Sequence, residues 1–243
     1  MKLIKLNATL STNDYLKALL KSGLPAEQTV VIAKDQTQGK GQHGNRWYSK
    51  AGESLTMSLY RRFEQHPEVF AFMPQMVVAL AVKKQLDALK IPAVSIKWPN
   101  DIMSYNKKLG GILIENIWTA GKPAHRVIGI GLNVNNELPQ DLPRAHSLKQ
   151  LTGKTYEVEE LGMRIAGQVY QYFDDFRLVD QQDWYRQYLD VLYKKDKAAT
   201  FRCGPNPPFT ALVKGVTPEG ELELQLADDS LRQFAVKTIK MEY

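Results

Sequence analysis

Two apolar segments, Thr29-Val30-Val31-Ile32-Ala33 and Ser54 to Tyr60, flank a glycine loop, Gly39-Lys40-Gly41-Gln42-His43-Gly44. The spacing is G-x-G-x-x-G, which in a dinucleotide-binding fold opens directly into a helix. Here Arg46-Trp47 leads instead, through Ser49 to Gly52, into a second strand. A strand–loop–strand unit argues against the doubly wound nucleotide fold and describes a flap able to fold over a ligand. Glycines let the backbone approach an anion closely, and Lys40 and Arg46 supply charge. The competing reading is an ordinary long hairpin turn. Glycines, cations and a tryptophan packed into one short segment argue against it.

A second segment is as constraining. Val94 to Trp98 alternates, with Val94, Ile96 and Trp98 on one face and Ser95 and Lys97 on the other. It runs into Lys97-Trp98-Pro99-Asn100-Asp101, and after six residues comes Lys108-Leu109-Gly110-Gly111-Ile112-Leu113. This reads as a tight turn between two strands. Lys97 ends one strand, Lys108 opens the next, and an amide and a carboxylate lie between. Such groups can hold an anion, and Asp101 could hold Mg²⁺ against phosphates. Surface lysines and a turn aspartate are the bland alternative. Pro99 opposes it for Lys97, because the residue before a proline is held extended and the geometry there is fixed.

Around these segments the periodicity predicts helices over Ser11 to Lys21, Pro74 to Leu89, Glu157 to Phe176 and Asp183 to Leu192. Further strands are expected over Lys108 to Trp118 and Arg126 to Val134, joined across Gly121-Lys122-Pro123. Ser11-Thr12-Asn13-Asp14 is a capping-box variant. A capped helix start also turns free N–H groups toward a polar ligand, so cap and binding site are compatible. In Gly129-Ile130-Gly131-Leu132-Asn133-Val134 the even positions make an apolar face. Gly129, Gly131 and Asn133 share the other, where missing side chains leave room for a flat ligand such as a nucleotide or for a tightly packed neighbour. From about Thr200 the chain turns to short β-rich pieces, Phe209 to Val216, Glu221 to Leu226 and Gln233 to Lys237, a pattern that suggests a small β-barrel. The charged stretch Lys194-Lys195-Asp196-Lys197 marks the expected boundary, giving domains 1–195 and 196–243.

One cysteine, Cys203, excludes an internal disulfide and a cysteine-cluster zinc site, and four scattered histidines make a metal cage a poor expectation. No run of apolar residues is long enough to span a bilayer, and Met1-Lys2-Leu3-Ile4-Lys5-Leu6 is too short and charged for a secretory signal, so a cytoplasmic enzyme is expected. The net charge of +6 favours anionic partners, but it is spread without a long basic run.

Taken in chain order, Ser11-Thr12-Asn13, Gln36 to Trp47, Lys97 to Asp101, Lys108 to Glu115 and Gly129 to Asn133 resemble the biotin–protein ligases. The resemblance implies an α+β fold: a mixed-sheet catalytic domain related to class II aminoacyl-tRNA synthetases, with a small C-terminal β-barrel. It implies ATP- and Mg²⁺-dependent transfer of biotin, through biotinyl-5'-AMP, to a lysine of a biotin carboxyl carrier domain. Lipoate ligases and octanoyl transferases share the fold but lack the Lys-Trp-Pro-Asn-Asp run. Carried over by position, Ser11, Thr12, Asn13 and Gln36 would meet the biotin head, and Gly39, Lys40, Gly41, Gln42, Lys108 and Gly111 the rest of biotin. Lys40, Gln42, Asn45, Arg46, Trp47, Lys97, Asn100, Gly131 and Asn133 would meet ATP and the adenylate. Lys97, Lys108 and Asp101 would be catalytic, with Asp101 on Mg²⁺. Only ten residues precede Ser11, so the winged helix-turn-helix of repressor-type members, and with it DNA binding, is not expected. Nor is membrane binding. A monomer, or a homodimer through a sheet edge, is expected. The family's loop often carries arginine where Gln42 and Asn45 stand.

Overall fold

The computed structural model describes residues 1–23, 25–62, 71–119, 122–175 and 180–242. The chain runs β1 (Lys2–Thr9), α1 (Thr12–Ser22), β2 (Thr29–Gln36), β3 (Ser54–Arg62), α2 (Met73–Ala88), β4 (Val94–Lys97), β5 (Asp101–Ser104), β6 (Lys107–Thr119), β7 (Lys122–Asn133), α3 (Leu148–Thr152), α4 (Val158–Asp175), α5 (Gln181–Asp190), and then β8 (Ala198–Arg202), β9 (Phe209–Val216), β10 (Leu222–Gln225), β11 (Leu231–Phe234) and β12 (Lys240–Glu242). The expected helix end at Phe176 and the turn at Gly121 lie outside the described residues.

The first seven strands form one mixed sheet in the order β1-β2-β3-β7-β6-β5-β4. β1 and β2 are parallel, joined through α1, and every other neighbouring pair is antiparallel. Strand alternation assigns the two faces. Leu55, Met57 and Leu59 of β3, with Ile128, Ile130 and Leu132 of β7, join the large core under α2 and α4. The alternate residues Thr56, Ser58 and Tyr60, with Val127, Gly129 and Gly131, face the other way, where α1 packs through Leu16 onto Val31, Tyr60 and Val127. One face of the sheet is therefore apolar and covered, while the other is partly polar and bears α1 beside an open end.

Local chemistry sets the helix ends. The Ser11 side chain accepts from the Asp14 N–H at the start of α1, Pro74 sits in the first turn of α2, and α3 opens on a full Ser147–Gln150 capping box.

Two departures from the sequence reading matter for the site. The turn after Lys97 is confined to residues 98–100. Asp101 already stands in a strand, β5, opposite Lys97 on one side and Gly111 on the other. In addition, β1, β8 and β12 are strands that the periodicity did not reveal. β8–β12 make a five-stranded antiparallel sheet in the order β11-β10-β9-β8-β12. Its inner residues Phe201, Val213, Leu222 and Leu224, with Ile239 just before β12, belong to the same core as α2 and α4. No described helix is long and apolar enough to cross a membrane.

Candidate functional site

The partly polar face of the large sheet ends in a cavity of about 490 Å³. The start of α1, the end of β2, the glycine loop, the β4–β5 turn, β6, β7 and the small sheet all contribute to its walls. Every candidate residue named from the sequence lines it except Gly39 and Asn133. Gly39 lies behind the wall, where a Cβ would stand 2.6 Å from the Trp47 carbonyl oxygen. Asn133 is buried, and its Oδ1 accepts from Asn136.

One end of the cavity is neutral and rich in hydrogen bonds. Gln36 Oε1 accepts from the Thr12 N–H at 2.9 Å and lies 3.2 Å from Thr12 Oγ1. Asn13 is buried and committed to the protein. Its Nδ2 donates to Glu115 Oε2 at 2.8 Å, and its Oδ1 lies 2.5 Å from Ser58 Oγ. Gly129 makes room for this amide, since a Cβ there would stand 2.5 Å from Asn13 Oδ1.

The other end is cationic. Lys97 is partly buried at the end of β4. Burial, then the nearby charges of Lys108, Arg144 and Lys240, pull its ammonium down to about 8, against the opposing pull of Asp101. Lys108 Nζ meets Asp101 Oδ1 at 2.6 Å beside Gly111. Four cations thus gather around one carboxylate, an arrangement suited to a phosphate group. Asn100 is turned toward β6 instead: its Nδ2 donates to the Ile112 carbonyl at 2.8 Å and its carbonyl accepts from the Ile112 N–H at 3.0 Å. It fixes the β4–β5 turn that carries Lys97 and Asp101.

The glycine loop is a small closed hairpin between the two ends. The Gly41 N–H donates to the Asn45 carbonyl at 2.7 Å and the Trp47 N–H to the Gly39 carbonyl at 2.9 Å. Lys40 is tied to Asp14 at 2.6 Å, and the exposed Arg46 donates to the Thr37 carbonyl. The loop leads into Trp47, whose indole lies against Gly131: a Cβ at Gly131 would be 2.5 Å from its Cε2. The bare glycine face foreseen as room for a flat ligand is therefore occupied by Asn13 at Gly129 and by Trp47 at Gly131. The Trp47 Nε1 is buried with no hydrogen-bond partner among the described residues.

Sequence reasoning missed Ser58, Glu115 and Arg144, and the stretch Val236 to Met241 that brings Lys237 and Lys240 to the wall. Glu115 ends the segment Lys108 to Glu115 singled out from the sequence, where it was given no role. Ser58 lies within the expected strand Ser54 to Tyr60, and Arg144 and the 236–241 stretch lie in segments without motif.

For Mg²⁺ the available donor is the Asp101 carboxylate. No group of three His, Cys, Asp or Glu side chains suited to a metal occurs among the described residues. This fits an ion that keeps most of its waters and is shared with substrate phosphates, but not a cage made by protein alone.

The fold and site define a class of protein in which a mixed sheet carries, beside a glycine hairpin, one cavity with a neutral hydrogen-bonding end and a cationic end. The family model for the biotin/lipoate A/B protein ligases matches residues 6–133, and the chain belongs to that family. Bifunctional ligase/repressor BirA of Salmonella typhimurium is 36% identical over 124 residues, which is 51% of this chain and 38% of that protein. A biotin–[acetyl-CoA-carboxylase] ligase of Mycobacterium tuberculosis is 34% identical over 144 residues, 58% of this chain and 52% of that one. The chain thus matches about two fifths to one half of the length of these curated relatives. The fold is shared with the biotin protein ligase of Aquifex aeolicus solved with biotin and ATP: the TM-score is 0.80 over 99% of this chain and 98% of that one, at 23% identity.

Proposed function

We propose that this chain is a biotin–protein ligase that activates biotin with ATP and transfers it to a lysine of a biotin carboxyl carrier domain. The observation that carries the reading is the two-ended cavity, with a neutral hydrogen-bonding end at Thr12 and Gln36, a cationic end at Lys97 and Lys108, and the glycine hairpin between them. A molecule with a polar neutral head and a carboxylate tail fits this polarity, with its tail delivered to the phosphate cluster. The names of two curated relatives, both biotin–[acetyl-CoA-carboxylase] ligases, support biotin over lipoate or octanoate.

In the first step a biotin carboxylate oxygen bonds to the α-phosphorus of ATP and the bond to pyrophosphate breaks. Lys97 and Lys108 meet the charge on the phosphoryl oxygens, and the work is positioning and preorganised charge. In the second step a carrier lysine amine attacks the biotinyl carbonyl, AMP leaves, and the amine loses a proton. Asp101 would hold Mg²⁺ here, and the ion when bound would supply further charge neutralisation. Asp101 is engaged by Lys108 in this structure, so this reading has Lys108 turn from the carboxylate to the ligand. Gly41, Gln42 and Asn45 would cover the activated carboxylate, and Trp47 would wall the nucleotide.

The same reading divides the chain into a catalytic unit, 1–195, and a small β unit, 196–243. It has the protein work in the cytoplasm without DNA, as a monomer or as a dimer through a sheet edge such as β1. The deciding test is ATP–pyrophosphate exchange on the full chain. Biotin should drive exchange with Mg²⁺, and lipoate and octanoate should not. Exchange with lipoate and none with biotin would overturn the assignment.

A further inference from the structure

The neutral end of the cavity has a hydrogen-bond direction built into it, set from outside the cavity. Asn13 Nδ2 donates to Glu115 Oε2 at 2.8 Å and lies 3.4 Å from the Leu113 carbonyl. An ionised carboxylate only accepts, so the amide must turn its NH₂ to Glu115 and its Oδ1 to Ser58. Lys17 Nζ holds the other Glu115 oxygen at 2.8 Å and also meets Asp14 at 2.8 Å, which fixes the carboxylate in place.

Ser58 is fully buried, with Asn13 Oδ1 at 2.5 Å and Thr12 Oγ1 at 2.8 Å. It has one proton for two neighbours. The contact with Oδ1 can be made only by the serine proton, because a carbonyl oxygen has none to give. The contact with Thr12 can be made by either hydroxyl. The serine proton therefore goes to Asn13, and the threonine proton is spent inside the protein, on Ser58 Oγ at 2.8 Å or on Gln36 Oε1 at 3.2 Å, a carbonyl oxygen that only accepts. Gln36 Oε1 keeps its bond from the Thr12 backbone N–H, and the Thr12 oxygen is left with lone pairs for the cavity.

We propose that Glu115 and Ser58 are positioning residues which, through Asn13, turn the Thr12 hydroxyl into an acceptor for an N–H group of the ligand. The inference rests on the reading of the cavity as a biotin site, since the cyclic urea of biotin offers such N–H groups. It also explains Gly129, because any side chain there would evict the Asn13 amide on which the relay turns.

The test is calorimetric titration of biotin into the full chain and its Glu115→Gln, Ser58→Ala and double variants, with thermal melts and exchange kinetics alongside. Glutamine keeps the size of Glu115 but can offer an NH₂ to Asn13, which lets the amide flip and the relay reverse. Biotin affinity should fall about tenfold in Glu115→Gln, the scale of one hydrogen bond turned from favourable to opposed. KM for biotin should rise in step, while kcat at saturating biotin changes far less. Ser58→Ala cuts the relay and leaves the Lys17–Glu115 pair intact, so it reports even if Glu115→Gln folds poorly. The double variant should bind no worse than Ser58→Ala alone. Unchanged biotin affinity in Ser58→Ala, or losses that add in the double variant, would overturn the relay. A wild-type chain that binds no biotin would overturn the reading of the cavity, and this inference with it.

Discussion

Lys97 shows how far a single residue could be read. Its place on the polar face of a strand, ahead of a rigid Trp-Pro, followed from alternation alone. Its environment did not, because Arg144 and Lys240 reach it from segments that carry no motif. Those charges and burial hold its ammonium near 8, so the residue titrates at the alkaline edge of the working range. In the folded chain the charged form is the disfavoured one. The burial penalty is therefore present below about pH 8 and is relieved as pH rises from there toward the unfolded value of 10.5. Stability and activity should diverge over that interval: the Lys97 contribution to stability improves while the cation that meets the phosphate is lost. Pyrophosphate exchange should fall above pH 8 in proportion to the remaining ammonium. Lys97→Met should remove that limb of the profile and cost ~10²–10³ in exchange rate, with the fold intact by circular dichroism. Near-normal exchange in the folded variant would leave Lys97 without a part in adenylation.

Among elements, strands with strict alternation were legible and strands without it were not. Val94 to Lys97 and Gly129 to Asn133 repeat at period two because each has one face in the core. β1 has no fully buried residue, and β5 is buried at three successive positions, Ile102 to Ser104, so neither writes a period into the sequence. The β9–β10 turn is a further case. Pro218-Glu219-Gly220 reads only as a turn, yet the Gly220 carbonyl accepts from Trp98 Nε1 at 2.9 Å and the Pro218 carbonyl from the Phe72 N–H at 3.2 Å. Gly220 adopts φ +96, and a Cβ there would stand 2.6 Å from the Phe72 ring. The turn is wedged between the strand end that carries Lys97 and the start of α2, so it braces the cationic end of the site. Gly220→Ala should therefore both destabilise the chain, by roughly 1–3 kcal/mol from backbone strain, and slow exchange. Trp98→Phe, which gives up one hydrogen bond worth about 0.5–1.5 kcal/mol, should lower exchange by more than its small change in melting temperature suggests. Exchange that tracks melting temperature alone in both variants would mean the turn stabilises the fold without bracing the site.

At the scale of the molecule, the order of motifs announced the catalytic half, and the shift to short β pieces announced the rest. What the sequence did not disclose is that the two sheets share one core and one cavity. Phe201, Val213, Leu222 and Ile239 pack in the same apolar cluster as the helices over the large sheet. Val213, Leu222, Lys237 and Lys240 reach the cavity opposite the glycine loop. Such contacts join residue 98 to 220 and residue 97 to the neighbourhood of 240, separations over which no local pattern carries information. A continuous core has a thermodynamic consequence, because neither sheet can unfold without exposing apolar surface on the other. The full chain should melt in a single calorimetric transition. Ligands bound between the sheets should move that whole transition upward, by about 2.7 kcal/mol of added stability at a hundredfold excess over the dissociation constant. Scanning calorimetry with biotin and a non-hydrolysable ATP analogue would read this directly. Two transitions, with the ligands shifting only the first, would show instead that β8–β12 fold apart from the site and that the small sheet contributes no binding energy to it.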